Sequence, residues 1–290
     1  MKKKSVVITL SIIVCSLLVA LSILNNKEVP VIKHFPIDED VDFTSFGTAL
    51  RLLSETGKDK YDVKWTASSE LDKPIYLRQD VSLLYSDGRL KGILSKWKEN
   101  EQNIQLESLI HGEDSSHFQA ISFHHGEIHY ADDEIKSIHS MSYDELYVID
   151  SPHSALESFD HPLNSNQEEW KKTLDHATNQ QLRYHWKQLI NYFDIPQAKY
   201  NFEPLTNLHV YQSKPIPTLT QERTQIVIGQ LWEGLYKNYI LNISRNEQPV
   251  KSFVPLILFS KQGDHLMVLY QDQDGEKQQL IQYYSSRDNL

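Results

Sequence analysis

Between Tyr61 and Ser151, polar and apolar residues alternate in short runs, the period-two pattern of half-buried strands. The runs YDVKWTASS, IYLRQDVSLLY, RLKGILSKWK, IQLESLI, FQAISF, EIHYA and ELYVIDS are rich in β-branched and aromatic residues and are separated by turn residues. Asp87-Gly88, between the second and third runs, is a strong two-residue hairpin signal, since these residue types tolerate the positive φ that such turns need. This half of the chain reads as an antiparallel β-meander.

After about Ser165 the period lengthens. Ser165-Asn166-Gln167-Glu168 has the form of a capping box, and Trp170, Leu174, Ala177, Leu182, Trp186, Leu189, Ile190 and Phe193 then recur at helical spacing until Pro196. A second long helix is expected from Thr218-Leu219-Thr220-Gln221, with Ile228, Leu231, Trp232, Leu235 and Tyr239 on one side. These aromatic stripes are read as core packing. VPLILFS, DHLMVLYQ and KQQLIQYYS follow, separated by Gly263 and Asp274-Gly275, and predict a three-stranded meander whose first strand is an edge because of Pro255. The fold class is therefore α+β, with lobes 61–160 and 161–290 inside an exported domain 61–290.

The N-terminus follows neither period. Ser5 to Leu24, SVVITLSIIVCSLLVALSIL, carries no charge and follows Lys2, Lys3 and Lys4. Twenty helical residues at about 1.5 Å each match a hydrocarbon layer roughly 30 Å thick. The lysines favour a cytoplasmic N-terminus, so residues 1–24 are expected to be an N-in membrane anchor, a transmembrane helix that leaves the rest of the chain outside. Ala20-Leu21-Ser22 also suits a signal peptidase, and cleavage near Ser22 would yield a secreted protein. Val14 before Cys15 fits lipidation poorly. Residues 25–60 read as a juxtamembrane part: an extended spacer to about Asp42, then a short helix in FTSFGTALRLLSETG, with Leu50, Leu52 and Leu53 ahead of Gly57.

Composition changes the picture in two ways. Cys15 is the sole cysteine and lies inside the apolar run, so the exported part folds without an internal disulfide, as is common in the Gram-positive envelope. The chain holds 29 Lys and Arg; without the three N-terminal lysines, 26 face 39 acidic side chains, a balance near −13. A surface so acidic repels nucleic acid and polyanionic polymers, so no nucleic-acid partner is expected.

Candidate chemistry concentrates in ISFHHGEIHYADDE, Ile121 to Glu134. A turn at His125-Gly126 would place Phe123, Ile128, Ile121 and Tyr130 on one face and His124, Glu127, Ser122 and His129 on the other. Two imidazoles and a carboxylate spaced this way are a zinc ligand set, so His124, Glu127 and His129 are the candidate metal ligands. The other reading of the same residues is a solvated hairpin face. Eight of the thirteen histidines fall between His111 and His161, which also predicts a pH-responsive β half. Asp272-Gln273-Asp274-Gly275 begins like a calcium loop, but Tyr283 stands where the twelfth-position glutamate belongs, so it reads as a turn. No GxSxG, GxGxxG or GxxxxGK[ST] pattern occurs, and catalytic residues are not identified. The leading expectation is a non-enzymatic binding or regulatory ectodomain, held in the bilayer by residues 5–24 and facing another envelope or membrane protein. The alternative is a metal-binding protein or metal-assisted hydrolase.

Overall fold

A computed structural model describes residues 32–57, 60–152, 155–244 and 251–284. The expected anchor over residues 5–24 and the cleavage site near Ser22 lie outside the described residues. Among the described residues, no helix is long and apolar enough to cross a membrane.

Two antiparallel sheets and two long helices make up an α+β unit within Ile32–Leu290. The first sheet holds β1 (Ser45–Gly57), β2 (Lys60–Ser86), β3 (Arg89–Gly112), β4 (Ser116–His129), β5 (Ile135–Ile149) and β6 (Glu157–Phe159). Its order is β1-β2-β4-β5-β6, with β3 also paired to β2. The Asp87-Gly88 turn joins β2 to β3 as expected, with φ of 51° and 79°, the left-handed values that this pair supplies at low cost.

Several expected strands fuse. YDVKWTASS and IYLRQDVSLLY are the two arms of one 27-residue β2, which bends instead of ending. Between the pairs Glu70↔Asn103 and Ile75↔Glu101, β2 advances five residues while β3 advances two. The difference is odd, so side-chain parity flips at the bend. Trp65 on the first arm and Ser82 on the second therefore share one interior, where the indole Nε1–H donates to Ser82 Oγ at 3.0 Å. Leu50, Tyr61, Val63, Trp65, Leu84, Phe118, Ala120, Leu146 and Val148 form the apolar part of that interior.

The stretch FTSFGTALRLLSETG is β1, not a short helix. It pairs antiparallel with the first arm of β2 from Ser45↔Glu70 onward, and only Leu50 of the three leucines is buried. Exposure alternates from Leu50 to Leu53, as suits an edge strand, and three clustered leucines are not sufficient for a helical face. The expected spacer also changes character. From Ile32, which is buried, to Phe43 the chain is a strap laid on the domain, with a parallel bridge at Ile37↔Ser137.

The second sheet runs β10-β9-β8-β7: β7 (Tyr200–Pro204), β8 (Leu256–Ser260), β9 (His265–Gln271) and β10 (Lys277–Tyr283). Its meander has a fourth strand, β7, that the sequence pattern did not reveal, so the strand after Pro255 is interior and not an edge. Pro255 precedes β8, and its carbonyl accepts Leu205 N–H at 2.9 Å, so its missing N–H costs no ladder bond. LHVYQ, between the helices, is a 3₁₀ segment, Leu205–Gln212.

Helix α1 (Ser165–Tyr192) packs Leu189, Trp186, Ile190 and Phe193 against Leu256, Leu258, Met267 and Leu269. Its N-cap is Asn164, one residue before the expected Ser165: Gln167 N–H donates to Asn164 Oδ1 at 3.0 Å, and Gln167 Oε1 accepts Leu163 N–H at 2.8 Å. Helix α2 (Gln221–Leu235) is capped by Thr220 and runs through a π-turn, Tyr236–Ile240, into α3 (Leu241–Ser244). Trp232 stacks on Phe123 of β4 with centroids 4.9 Å apart and planes at 14°. The second arm of β2 and most of β4 are thus covered on both faces, and every residue from Leu77 to Ser86 is buried.

Candidate functional site

The histidine-rich stretch is not a hairpin. Residues 116–129 are one strand paired along β5, from Ser116↔Val148 to His129↔Ile135, and His125 and Gly126 sit inside it. Gly126 has no positive φ; a Cβ there would lie 2.4 Å from Ile75 Cδ1 and 3.1 Å from Ile138 Cγ1. Glycine is required by close packing in the middle of the sheet, not by a turn. The turn falls later, at residues 130–134, where Tyr130 N–H donates to Glu134 O and Asp133 takes φ 59°.

The continuous strand separates the three candidate ligands. Along a continuous strand, Glu127 and His129 share a face, and His129 Nε2 lies 3.3 Å from Glu127 Oε2. His124 points to the opposite face. The proposed zinc set is therefore not assembled, and among the described residues no three His, Cys, Asp or Glu side chains form a metal-holding group.

His124 enters a different constellation. Three adjacent strands place Asp80, His124 and Ser140 in register, with Ser142 two residues further along β5. His124 Nδ1 is 2.7 Å from Asp80 Oδ2, and Nε2 is 2.8 Å from Ser142 Oγ. With the ring proton on Nδ1, the imidazole donates to the carboxylate and accepts from Ser142. Ser142 Oγ is 2.6 Å from Thr48 Oγ1, which is 2.6 Å from Ser122 Oγ; Ser122 in turn donates to Ser82. At the other end Ser69 Oγ donates to Asp80 Oδ2 at 2.7 Å, and Arg78 donates both to Ser69 Oγ and to the Gln102 carbonyl.

No family model, curated protein or solved structure is similar to the chain. The chemistry of this network must be read from its geometry alone.

The atom order Ser142 Oγ, His124 Nε2, His124 Nδ1, Asp80 matches the proton relay of nucleophilic hydrolases. The surroundings oppose that use. His124 and Asp80 are fully buried, and Phe43 and Phe46 lie against the imidazole with centroids at 6.2 and 5.7 Å. Ser142 is held by Thr48 as well as by the ring, so its hydroxyl is one link in a chain tying β1, β2, β4 and β5 together. We read the network as a polar clasp inside the bent sheet. Accordingly, an active-site-directed fluorophosphonate should leave Ser142 unmodified in the intact chain; mass-spectrometric detection of a Ser142 adduct, absent from Ser142→Ala, would reverse this reading.

A second polar cluster lies on the opposite face, where α1 crosses β4 and β5. His117 Nε2 is 3.1 Å from Glu145 Oε2 and its Nδ1 is 3.6 Å from Asp175; the ring stacks on Tyr147 at 4.2 Å. Tyr143 O–H donates to Glu145 at 3.1 Å, Tyr147 O–H to Asp175 at 2.8 Å, and Lys171 pairs with Asp175 at 2.9 Å. Burial works to raise Glu145, but the hydrogen bond and charge of His117, with Lys171, hold its carboxyl below the usual range. Burial and the neighbouring carboxylates push Tyr143 and Tyr147 up. Neither aspect was visible in the sequence, because Asp80, Ser142, Glu145 and Asp175 are distant in the chain and carry no spacing motif. Asp272-Gln273-Asp274-Gly275 is a turn, as expected, in which Asp272 Oδ1 accepts the amides of Asp274 and Glu276.

Proposed function

We propose that the chain is a single-pass, membrane-tethered extracytoplasmic protein of the bacterial cell envelope, whose ectodomain binds another envelope or membrane protein and does not turn over a substrate. The observation that carries this reading is the uncharged run from Ser5 to Leu24 behind three lysines, which partitions into hydrocarbon with its basic end inside. Two further features support it. The folded unit is tied down from Ile32 onward, close behind the apolar run in sequence, and in its polar network the imidazole of His124 and the carboxylate of Asp80 are fully buried, with Phe43 and Phe46 against the ring. Metal-assisted hydrolysis on His124, Glu127 and His129 is not carried forward, since these side chains lie on two faces of β4.

Fractionation with external proteolysis tests the proposal. The chain is expected in the detergent-extractable membrane fraction, with its C-terminal part digested by protease added outside intact cells whose wall has been removed. Full-length chain in the detergent-free cytosol, or a protected C-terminus, would rule the proposal out. Release of a chain starting near Ser22 into the medium would replace the tether with secretion.

A further inference from the structure

The strap from Ile32 to Phe43 is held to the domain along both of its sides. On one, Ser137 of β5 donates its N–H to Pro36 O, accepts Asp38 N–H at its carbonyl and Phe35 N–H at its hydroxyl, each at 2.9 Å. On the other, His34 N–H donates to Glu233 Oε2 of α2 at 2.8 Å. Gly229 of α2 allows this approach, because a Cβ there would stand 2.4 Å from His34 Nδ1 and 3.2 Å from His139 Cε1.

Three imidazoles from three segments meet under the strap: His34 on the strap itself, His125 on β4 and His139, the register partner of His125, on β5. The rings of His34 and His139 are 6.4 Å apart, and Phe123 stacks against both His125 and His139. His125 Nε2 lies 3.1 Å from the Lys33 carbonyl of the strap, so its proton sits on Nε2 and donates there. His125 Nδ1 is buried without a hydrogen-bond partner, and the ring nitrogens of His139 are buried with only the Gln225 side chain of α2 acting on them as a neutral partner. The charged groups nearby give a new imidazolium little compensation. Glu233 is already engaged by Lys237 at 2.5 Å and by His34 N–H, and Asp80 belongs to the clasp on the far face of the sheet. Gln225 of α2 is neutral, and Lys33 is a like charge on the strap. Glu39, Glu222 and Arg223 line, with His34, the open cavity of about 440 Å³ between strap and α2.

We propose that the segment Ile32–Phe43 is an acid-released strap, held down while His125 and His139 beneath it are neutral and let go when those two imidazoles take up protons. Releasing it frees residues 32–43 from β5 and α2; the strap contacts stand whether or not the chain is membrane-bound. Burial, reinforced by the neighbouring His34, pulls His125 down to about 4 and His139 down to about 3, from an ordinary 6.5. The docked values lie below the free one, so docking is fully stabilised above pH 6.5 and weakens as pH falls through 6.5 toward 4 and then 3. Going from pH 8 to pH 5 favours the open strap by roughly 30-fold for each imidazole that becomes hydrated on opening.

Hydrogen exchange of the full chain in detergent micelles, corrected for intrinsic rates, tests this at pH 8 and pH 5. Protection of the His34, Phe35 and Asp38 amides is expected to fall at least tenfold at pH 5 while the β2 and β4 ladder keeps its protection, and His139→Phe should shrink that fall. Equal strap protection at the two pH values, or the same fall in His139→Phe, overturns the proposal. Should His139→Phe undock the strap already at pH 8, a histidine NMR titration of the unaltered chain decides instead. Values for His125 and His139 well below 6.5, accompanied by loss of strap protection, uphold the proposal; titration near 6.5 with the strap still protected overturns it.

Discussion

Replacing His124 by alanine is expected to destabilise the domain by about 3–5 kcal/mol, the range for leaving a buried carboxylate without its hydrogen-bond partner. Asp80 is fully buried, and its Oδ2 is served by His124 and Ser69 while Oδ1 has no hydrogen-bond partner in the fold. Removing the imidazole takes away the donor at 2.7 Å, leaves Ser142 without its acceptor, and opens a space under Phe43 and Phe46 that a single methyl does not fill. Guanidinium unfolding of the detergent-solubilised chain, followed by tryptophan fluorescence, measures the loss. The paired change Asp80→Asn with His124→Phe should cost much less than His124→Ala alone, because no carboxylate is then stranded. A loss below about 1 kcal/mol for His124→Ala would mean that water reaches Asp80 and that the clasp contributes little.

Trp232→Ala should have an effect of the same size, about 3–5 kcal/mol, for a different reason. The indole is fully buried, stacks on Phe123 at 4.9 Å, and directs its N–H at Met141 Sδ at 3.4 Å. Truncation leaves a cavity between α2 and the sheet that neighbours on two rigid elements cannot collapse into. Trp232→Phe keeps the stack and should lose much less. The same denaturation experiment separates the two variants; equal losses would show that the fit of the whole indole, and not aromatic stacking, decides the interface.

The two long helices and the Asp-Gly turns were legible in the sequence because their causes are local. Asp87-Gly88 forms its turn from its own φ preferences, and Asn164, Thr220 and Gln167 cap helices through atoms within four residues. The aromatic stripe from Ile228 to Tyr239 packs as expected for the same reason: a helix shows its core face through period alone. The bend that fuses two apparent strands into β2 was not legible, since its cause is a register slip against β3 some thirty residues away. His125-Gly126 looked like a turn because glycine and histidine tolerate positive φ, whereas the fold uses that glycine to admit Ile75 and Ile138. One misplaced turn was enough to put His124, Glu127 and His129 on a common face that does not exist.

By itself the sequence determined the α+β content, the two long helices to within a few residues at their ends, the Asp-Gly turns and an apolar N-terminal segment with a basic flank. Each follows from the residues themselves or from interactions among a few neighbours along the chain. The tertiary structure decided which polar residues meet: Asp80 with His124 and Ser142 inside the bent sheet, His117 with Glu145 and Asp175 under α1, and His34 with His125 and His139 under the strap. Such meetings are set by strand register, and a shift of one residue sends every side chain to the opposite face.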